Sequence, residues 1–278
     1  MKKVFIVGLG LMGASYALKL KSKNYLIYGY DSNDKTNQKA LKDNLIIDND
    51  ISKIKDSDII IMCLYPKDIV KFIKKHQNLF NNNQLLTDIS GTKEHLINDI
   101  LEILPKKIRY LSHHPMAGRE LSGYDHKDIQ MFKDANFLIV ETNRSNELDI
   151  KTLTNLGIDL GFKTISIIKP KEHDELIAHT SQLTHLLAVS LMLTNINENT
   201  KYATGDSFRD LTRIAKINET LWTELFLDNK ITLNNISVNF INKLKYLLEL
   251  INNDEKDELI KNLKLAKEKR IEFDKVKN

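Results

Sequence analysis

Two adjacent histidines are the first candidates for chemistry in this chain. His113 and His114 precede Pro115 in SHHPMAGRE, a polar segment that contains a glycine and follows a candidate strand. Loops at strand ends are where α/β folds place reactive groups. A neutral imidazole there can accept a proton from an alcohol, because the histidine pKa lies near neutrality. The pair alone does not distinguish catalysis from a structural role.

Three further candidates for chemistry lie in the C-terminal part of the sequence. Ser181 and His185 are four residues apart, so a helix would place them on one face. Arg213 lies among apolar residues in DLTRIA, and its planar guanidinium suits a carboxylate. The alternatives are a buried hydrogen-bonded pair for the first two and an ion pair with Asp210 for the arginine. The pattern leaves both alternatives open.

A glycine motif near the N-terminus predicts a dinucleotide site. The predicted contacts in this motif are Gly8, Gly10, Leu11, Met12 and Gly13. The motif follows a candidate strand and begins a candidate helix, where free N–H groups can bind a diphosphate. Asp31 ends the next strand and is placed to bind ribose hydroxyls. Since a carboxylate repels a 2′-phosphate, the cofactor is predicted to be NAD, not NADP.

Two more segments are predicted to contact the cofactor. Leu64, Tyr65 and Pro66 come at the end of the candidate strand 58–64, at the carboxyl edge of the predicted sheet. Asp88 comes at the end of the candidate strand 85–89 and is predicted to contact the same ligand.

Short β-branched runs alternate with amphipathic stretches up to residue 168, which predicts a mostly parallel sheet. The predicted strands are 4–7, 26–30, 58–64, 85–89, 109–112, 137–141 and 164–168. The predicted helices are 11–21, 68–75, 93–104, 172–193, 218–231, 238–251 and 254–276. The fold class is therefore an α/β Rossmann-type domain, residues 1–169, followed by an all-α domain, residues 170–278.

The second half of the predicted helix 172–193 is apolar on nearly every side, so it is expected in a core or a subunit interface. We expect a homodimer built from the C-terminal helices.

Composition excludes several classes of protein. Lys+Arg 41 against Asp+Glu 37 gives a net charge of +4 without a basic patch, so nucleic acid is not an expected partner. The single cysteine, Cys63, fits a reducing compartment and a cytoplasmic location, and no Cys/His cluster suggests a metal site. No continuous run of about 18 apolar residues exists, so no membrane span is expected.

Taken together, the motifs resemble the prephenate/arogenate dehydrogenase family across essentially the whole chain. The matching segments are GLGLMG, DISGTK, SHHPMAGRELSG, HDELIAHTSQLTH and DLTRIAKINETLW. HPMAG and TRIA, in this order and at this spacing, are specific to the family, whereas the glycine motif is not. The resemblance implies an NAD-dependent oxidative decarboxylation of prephenate or arogenate, with each active site between a dinucleotide domain and a dimerising helical domain.

The resemblance also implies roles for individual residues. His114 would accept the proton of the substrate's ring hydroxyl, Ser181 and His185 would contact the substrate side chain, and Arg213 would bind a substrate carboxylate. Trp222 would lie near the partner subunit's site.

One position departs from the family pattern. Many relatives have D-x-G-S-V-K, with a serine in fourth place, where this chain has Gly91. Ser90 or Thr92 is therefore expected to supply a hydroxyl to the substrate.

Two other classes of protein share part of this pattern. A β-hydroxyacid dehydrogenase has a similar domain arrangement but leaves HPMAGRE unexplained. A non-catalytic NAD-sensing module needs neither His114 nor Arg213.

Overall fold

The computed structural model describes residues 1–119, 121–194 and 197–275. A five-stranded parallel sheet has the strand order β2-β1-β3-β4-β5. The strands are β1 (Lys3–Val7), β2 (Leu26–Tyr30), β3 (Ile59–Met62), β4 (Leu85–Asp88) and β5 (Arg109–Tyr110). Reversal of the strand order beside β1 places the carboxyl ends of β1 and β3 at the crevice where such sheets bind ligands.

Alternation along the central strands explains the core. Val4 and Ile6 of β1 pack in one buried apolar cluster, whereas Phe5 and Val7 pack in another. Successive strand residues point to opposite faces, so a strand covered on both sides is apolar throughout.

A three-stranded sheet adjoins the first, in the order β6-β7-β8. Its strands are β6 (Ser112–Pro115), β7 (Asn136–Val140) and β8 (Thr164–Ile168), with β6 antiparallel to β7. The single strand predicted over 109–112 is therefore wrong, because β5 ends at Tyr110 and the chain enters the second sheet. His113 and His114 lie within β6, not in the loop expected from their polar neighbours.

Helices connect the strands of the N-terminal part. They are α1 (Leu11–Lys21), α2 (Asp34–Lys42), α3 (Pro66–His76), α4 (Glu94–Ile103) and α5 (Glu147–Leu160). The helix α3 begins at Pro66, where proline is favoured because the first N–H has no helical partner.

After β8 the described chain is helical. Helix α6 (Pro170–Ile177) continues through one π-helical turn (Ala178–Gln182) into α7 (Leu183–Leu193), and α8 (Asp206–Arg213) and α9 (Glu219–Asp228) follow. Packing divides the chain into two compact units, Met1–Asn229 and Lys230–Asn278.

The second unit contains α10 (Lys230–Asn252) and α11 (Lys256–Lys275). Two predicted boundaries are wrong here, since the helix predicted over 218–231 ends at Asp228 and the predicted gap 232–237 is helical. Thr, Asn and Ser lower helix propensity by only a few tenths of a kcal/mol each, which longer-range packing overrides. The predicted end of the last helix, at residue 276, lies outside the described residues.

The helix Pro170–Leu193 is long and apolar enough to cross a membrane, by length and composition, although no such segment was expected. Only 28% of its most apolar window is buried in the chain, and Met192 and Leu193 are exposed. Much of its apolar surface is therefore left uncovered by the described residues.

Candidate active site

A cavity of about 780 Å³ lies at the carboxyl edge of the parallel sheet. Its volume falls within the usual range of ligand sites. Of the predicted site residues, the lining includes Gly10, Leu11, Met12, Gly13, Leu64, Tyr65, Pro66, Ser90, His114, Ser181, His185 and Trp222. Those outside the lining are Gly8, Asp31, Asp88, Thr92 and Arg213.

The three glycines of the motif differ in what a side chain at each position would contact. Gly8 has φ +91°, and an added Cβ would lie 2.4 Å from the carbonyl oxygen of Cys63. At Gly13 an added Cβ would lie 1.9 Å from the carbonyl oxygen of Gly8. At Gly10, in contrast, a Cβ would meet nothing within 4 Å, so the backbone there is open on the cavity side. The loop thus leaves space for a diphosphate at the N-terminus of α1.

Asp31 holds this loop in place. Leu9 N donates to Asp31 Oδ2 at 2.8 Å, and Asn33 N donates to Asp31 Oδ1 at 2.9 Å. The carboxylate joins the end of β2 to the glycine loop, beside the cavity and not in its lining.

The segment after β3 forms another wall. Leu64, Tyr65 and Pro66 line the cavity, and Asn218 Nδ2 donates to the Tyr65 hydroxyl at 3.1 Å.

Asp88 does not reach the cavity because its carboxylate is fully buried against Lys93. Lys93 Nζ donates to Asp88 Oδ1 and to the carbonyl oxygen of His113, each at 2.8 Å. Tyr110 and Ser112 donate their hydroxyls to Asp88 Oδ2. Burial raises the pKa of Asp88, but the charge of Lys93 and these hydrogen bonds outweigh it and hold that pKa below its usual value. The pair fixes the loop after β4 to strand β6.

His114 and His173 are in direct contact. His114 Nδ1 lies 2.8 Å from His173 Nε2, and His173 Nδ1 lies 2.7 Å from Asp174 Oδ1. Burial, with the neighbouring His173, lowers the pKa of His114 well below its usual value. Burial lowers the pKa of His173 to about 3. Both imidazoles are therefore neutral at pH 7, as a proton acceptor requires.

His185 and Trp222 form a second wall of the cavity. Their rings are stacked with centroids 3.7 Å apart, and His185 Nδ1 donates to the carbonyl oxygen of Ser181 at 2.8 Å. The π-helical turn contains Ser181, and π-helical turns are frequent at functional sites. Trp222 lines the cavity of its own chain, whereas the resemblance implied a position near the partner's site.

The loop after β4 separates the two candidate hydroxyls. Ser90 lines the cavity, and its buried Oγ has no hydrogen-bond partner among the described residues. Thr92 is fully buried and lies outside the lining. At Gly91 an added Cβ would lie 3.2 Å from Leu225 Cδ2, so a side chain there would require this leucine to shift by a few tenths of an ångström.

The structure does not bring Arg213 into the lining. It is the last residue of α8 and is exposed. Arg119 and Lys216 are the cations that line the cavity among the described residues, and Arg119 pairs with Asp128.

The sequence alone did not indicate a role for Lys93, His173 or Asp174, although all three lie in segments that carry the family resemblance. The available signal was a charged side chain five residues after Asp88 in an otherwise buried loop, and an adjacent His-Asp pair at a helix start.

A glycine loop at the carboxyl edge of a parallel sheet, beside a cavity with a neutral histidine, defines a nucleotide-dependent dehydrogenase. Comparison with known proteins gives the family. Residues 14–166 match the model described as "Prephenate dehydrogenase, nucleotide-binding domain", and residues 169–265 match "Prephenate dehydrogenase, dimerization domain". The chain belongs to the prephenate dehydrogenase family.

Individual relatives agree with this assignment. Prephenate dehydrogenase of Lactococcus lactis is 30% identical over 85% of this chain and 68% of the relative. That of Bacillus subtilis is 28% identical over 96% of this chain and 75% of the relative. The crystal structure of prephenate dehydrogenase from A. aeolicus in complex with hydroxyphenyl propionate and NAD+ has a TM-score of 0.88 and 28% identity, and covers 98% of both chains.

Proposed function

We propose that this chain is a prephenate dehydrogenase, which uses NAD to convert prephenate to 4-hydroxyphenylpyruvate and carbon dioxide in tyrosine biosynthesis. The observation that carries the proposal is the placement of neutral His114 in the same cavity as the open glycine loop.

The residues of this chain fit NAD. Gly10 leaves the backbone open, and the N-terminus of α1 has no acidic residue in its first turn to repel a diphosphate. Leu64, Tyr65 and Pro66 would contact the rest of the cofactor. Asp31 would bind the adenosine ribose while it holds Leu9. NAD, when bound, supplies the two-electron acceptor for the oxidation.

His114 would remove the proton from the substrate's ring hydroxyl as the carbon bearing it is oxidised. The ring carboxylate then leaves as carbon dioxide, and aromatisation of the ring drives the reaction. The chain has to orient the substrate and accept one proton, so positioning and general-base catalysis are the main contributions. No step requires a metal.

The other cavity residues would hold the substrate. His185, Ser181 and Trp222 line the same part of the cavity and would contact the substrate side chain. Ser90 supplies the hydroxyl that Gly91 lacks, and its position in the cavity lining supports this choice over Thr92, which lies outside the lining. Arg213 remains the proposed carboxylate anchor on the strength of the resemblance.

Arogenate is the alternative substrate, and it differs from prephenate by an amino group in place of the keto group. Arg119 and Lys216 line the cavity and would favour the dianion over a substrate that carries an ammonium. The deciding experiment measures NADH formation at 340 nm with NAD and each substrate in turn. A higher kcat/KM with prephenate supports the proposal, and no turnover of either substrate contradicts it.

We further propose a cytoplasmic homodimer whose helical domain begins at residue 170. The match of residues 169–265 to a dimerisation domain and the exposed Met192 and Leu193 support this assembly. Sedimentation at micromolar concentration that finds a monomer would contradict it.

A further inference from the structure

Three side chains behind the cavity form a continuous hydrogen-bonded row. His114, on β6, contacts His173, on α6, which in turn contacts Asp174. His173 is fully buried and Asp174 is nearly so, and neither lines the cavity. Of the three, only His114 can touch a ligand.

The position of Asp174 is fixed from its other side. Lys93 N donates to Asp174 Oδ1 at 2.9 Å, and Glu94 N donates to Asp174 Oδ2 at 2.8 Å. These N–H groups begin α4, where a negative charge is stabilised by the helix dipole. Asn229 Nδ2 also donates to the backbone carbonyl of Asp174 at 2.9 Å. The Asp174 carboxylate is therefore held in one orientation toward His173 Nδ1.

We infer that His173 and Asp174 are positioning residues that hold His114 in the tautomer protonated on Nδ1, so that Nε2 is the basic nitrogen. The inference deepens the proposed function, because it rests on His114 as the base.

Donor and acceptor chemistry fixes the position of each proton along this row. A carboxylate only accepts, so His173 Nδ1 must donate to Asp174. A neutral imidazole with a proton on Nδ1 has its lone pair on Nε2, so His173 Nε2 must accept from His114 Nδ1. His114 then presents the lone pair of Nε2, the nitrogen that this contact leaves for a ligand. The lowered pKa values of both histidines agree with neutral rings.

The same arrangement would stabilise the protonated form of His114 after it accepts the substrate proton. The new positive charge would lie one imidazole away from the Asp174 carboxylate, which orients the ring and stabilises the cation. A histidine with a strongly lowered pKa needs such support in order to act as a base.

Nuclear magnetic resonance tests the tautomer without any turnover. Imidazole ¹⁵N shifts distinguish protonated from unprotonated ring nitrogens, and the chain has only 8 histidines. Signals that disappear in His114→Asn and in His173→Gln assign the two rings. The expected result is a proton on Nδ1 of both rings at pH 7. A proton on His114 Nε2 in the unaltered protein would overturn the inference.

Kinetics test whether the tautomer matters. His173→Phe removes the acceptor and is expected to lower kcat by about two to four orders of magnitude, with substrate KM and NAD affinity changed by less than about threefold. His173→Gln keeps an acceptor oxygen and is expected to recover at least about tenfold of that loss. Asp174 is not varied, because it also holds the start of α4.

His113→Gln is the matched control, since His113 is equally buried and is hydrogen-bonded at both ring nitrogens to Tyr16 and Thr87. Its kcat is expected to stay within about threefold of the unaltered protein. Equal kcat in folded His173→Phe and His173→Gln contradicts the inference, as does an unchanged kcat in His173→Phe. If the unaltered protein oxidises neither prephenate nor arogenate, the proposed function fails, and the ¹⁵N measurement still decides the tautomer.

Discussion

The side chains of His113 and His114 point to opposite faces of strand β6. His113 is stacked on Phe137 and lies 2.6 Å from Thr87 Oγ1 and 3.0 Å from the Tyr16 hydroxyl, through its two ring nitrogens. His114 pairs with His173 and lines the cavity. Strand geometry alternates side chains between faces, so two neighbours identical in type have different environments.

This relationship predicts unequal effects of the same substitution. His114→Asn should lower kcat by about two to four orders of magnitude with NAD affinity nearly unchanged, because the proton acceptor is lost. His113→Asn should change stability more than kcat, since His113 does not reach the cavity. Steady-state kinetics on both folded variants checks this, and similar kcat values would show that the base is misassigned.

Asp31 both carries a negative charge and accepts a hydrogen bond from Leu9 N. Two variants are therefore needed to test its effect on the preference for NAD over NADP. Asp31→Asn keeps an acceptor for Leu9 N and removes the charge, so the preference for NAD over NADP should narrow by at least about tenfold. Asp31→Ala also frees the glycine loop and should weaken both cofactors. The measurement is kcat/KM for each cofactor. Equal values for NAD and NADP in the unaltered protein would refute the role of Asp31.

Removal of the hydroxyl group should have a larger effect on kcat/KM at Ser90 than at Thr92. Ser90→Ala should lower kcat/KM for prephenate about tenfold, the worth of one hydrogen bond to a charged or polar group. Thr92→Val should leave kcat/KM within about twofold, because Thr92 lies outside the cavity. A larger effect at Thr92 in a folded protein would reverse the assignment.

Arg213 and Lys216 can be compared in the same way. Arg213→Ala should raise the KM for prephenate about 10- to 100-fold without a change in the KM for NAD, since a hydrogen bond to a charged group contributes about 1.5–3 kcal/mol. Arg213→Lys should recover part of the loss, because a point charge cannot reproduce the planar fork. If Lys216→Ala has the larger effect on KM, the lysine that lines the cavity is the carboxylate anchor.

Stability should decrease between pH 7.5 and pH 5.5. Burial lowers the pKa of His113 and of His173 to about 3 each, so the unfolded chain binds more protons below the ordinary value near 6.5. At pH 5.5 each contributes a loss of about 1.4 kcal/mol. Burial raises the pKa of Asp174 and of Asp228, which acts in the opposite sense as the pH falls further.

Urea unfolding at the two pH values measures this loss. His113→Gln removes one titrating group, so the variant should lose about 1.4 kcal/mol less than the unaltered protein over the same interval. An unfolding free energy that does not change with pH would contradict the neutral, buried state of these histidines.

The N-terminal strands and the glycine loop were predictable from the sequence because their determinants are local. The continuous apolar runs of β1 and β3 and the conformational needs of Gly8 are both visible in neighbouring residues. The environments of Asp88 and His173 were not, because they depend on Lys93 and Asp174, which only the tertiary fold brings into contact. Which of Ser90 and Thr92 faces the cavity likewise depends on the conformation of the loop that contains Gly91.

The π-helical turn Ala178–Gln182 changes which face of the helix Pro170–Leu193 the later side chains occupy. A π turn contains one residue more than an α turn, so everything after it is rotated by about 100° relative to an uninterrupted helix. His173, before the turn, faces β6, whereas His185, after it, faces the cavity. A single-residue deletion within 178–182 would therefore restore an α turn, which keeps both His173 and His185 on their present faces of the helix.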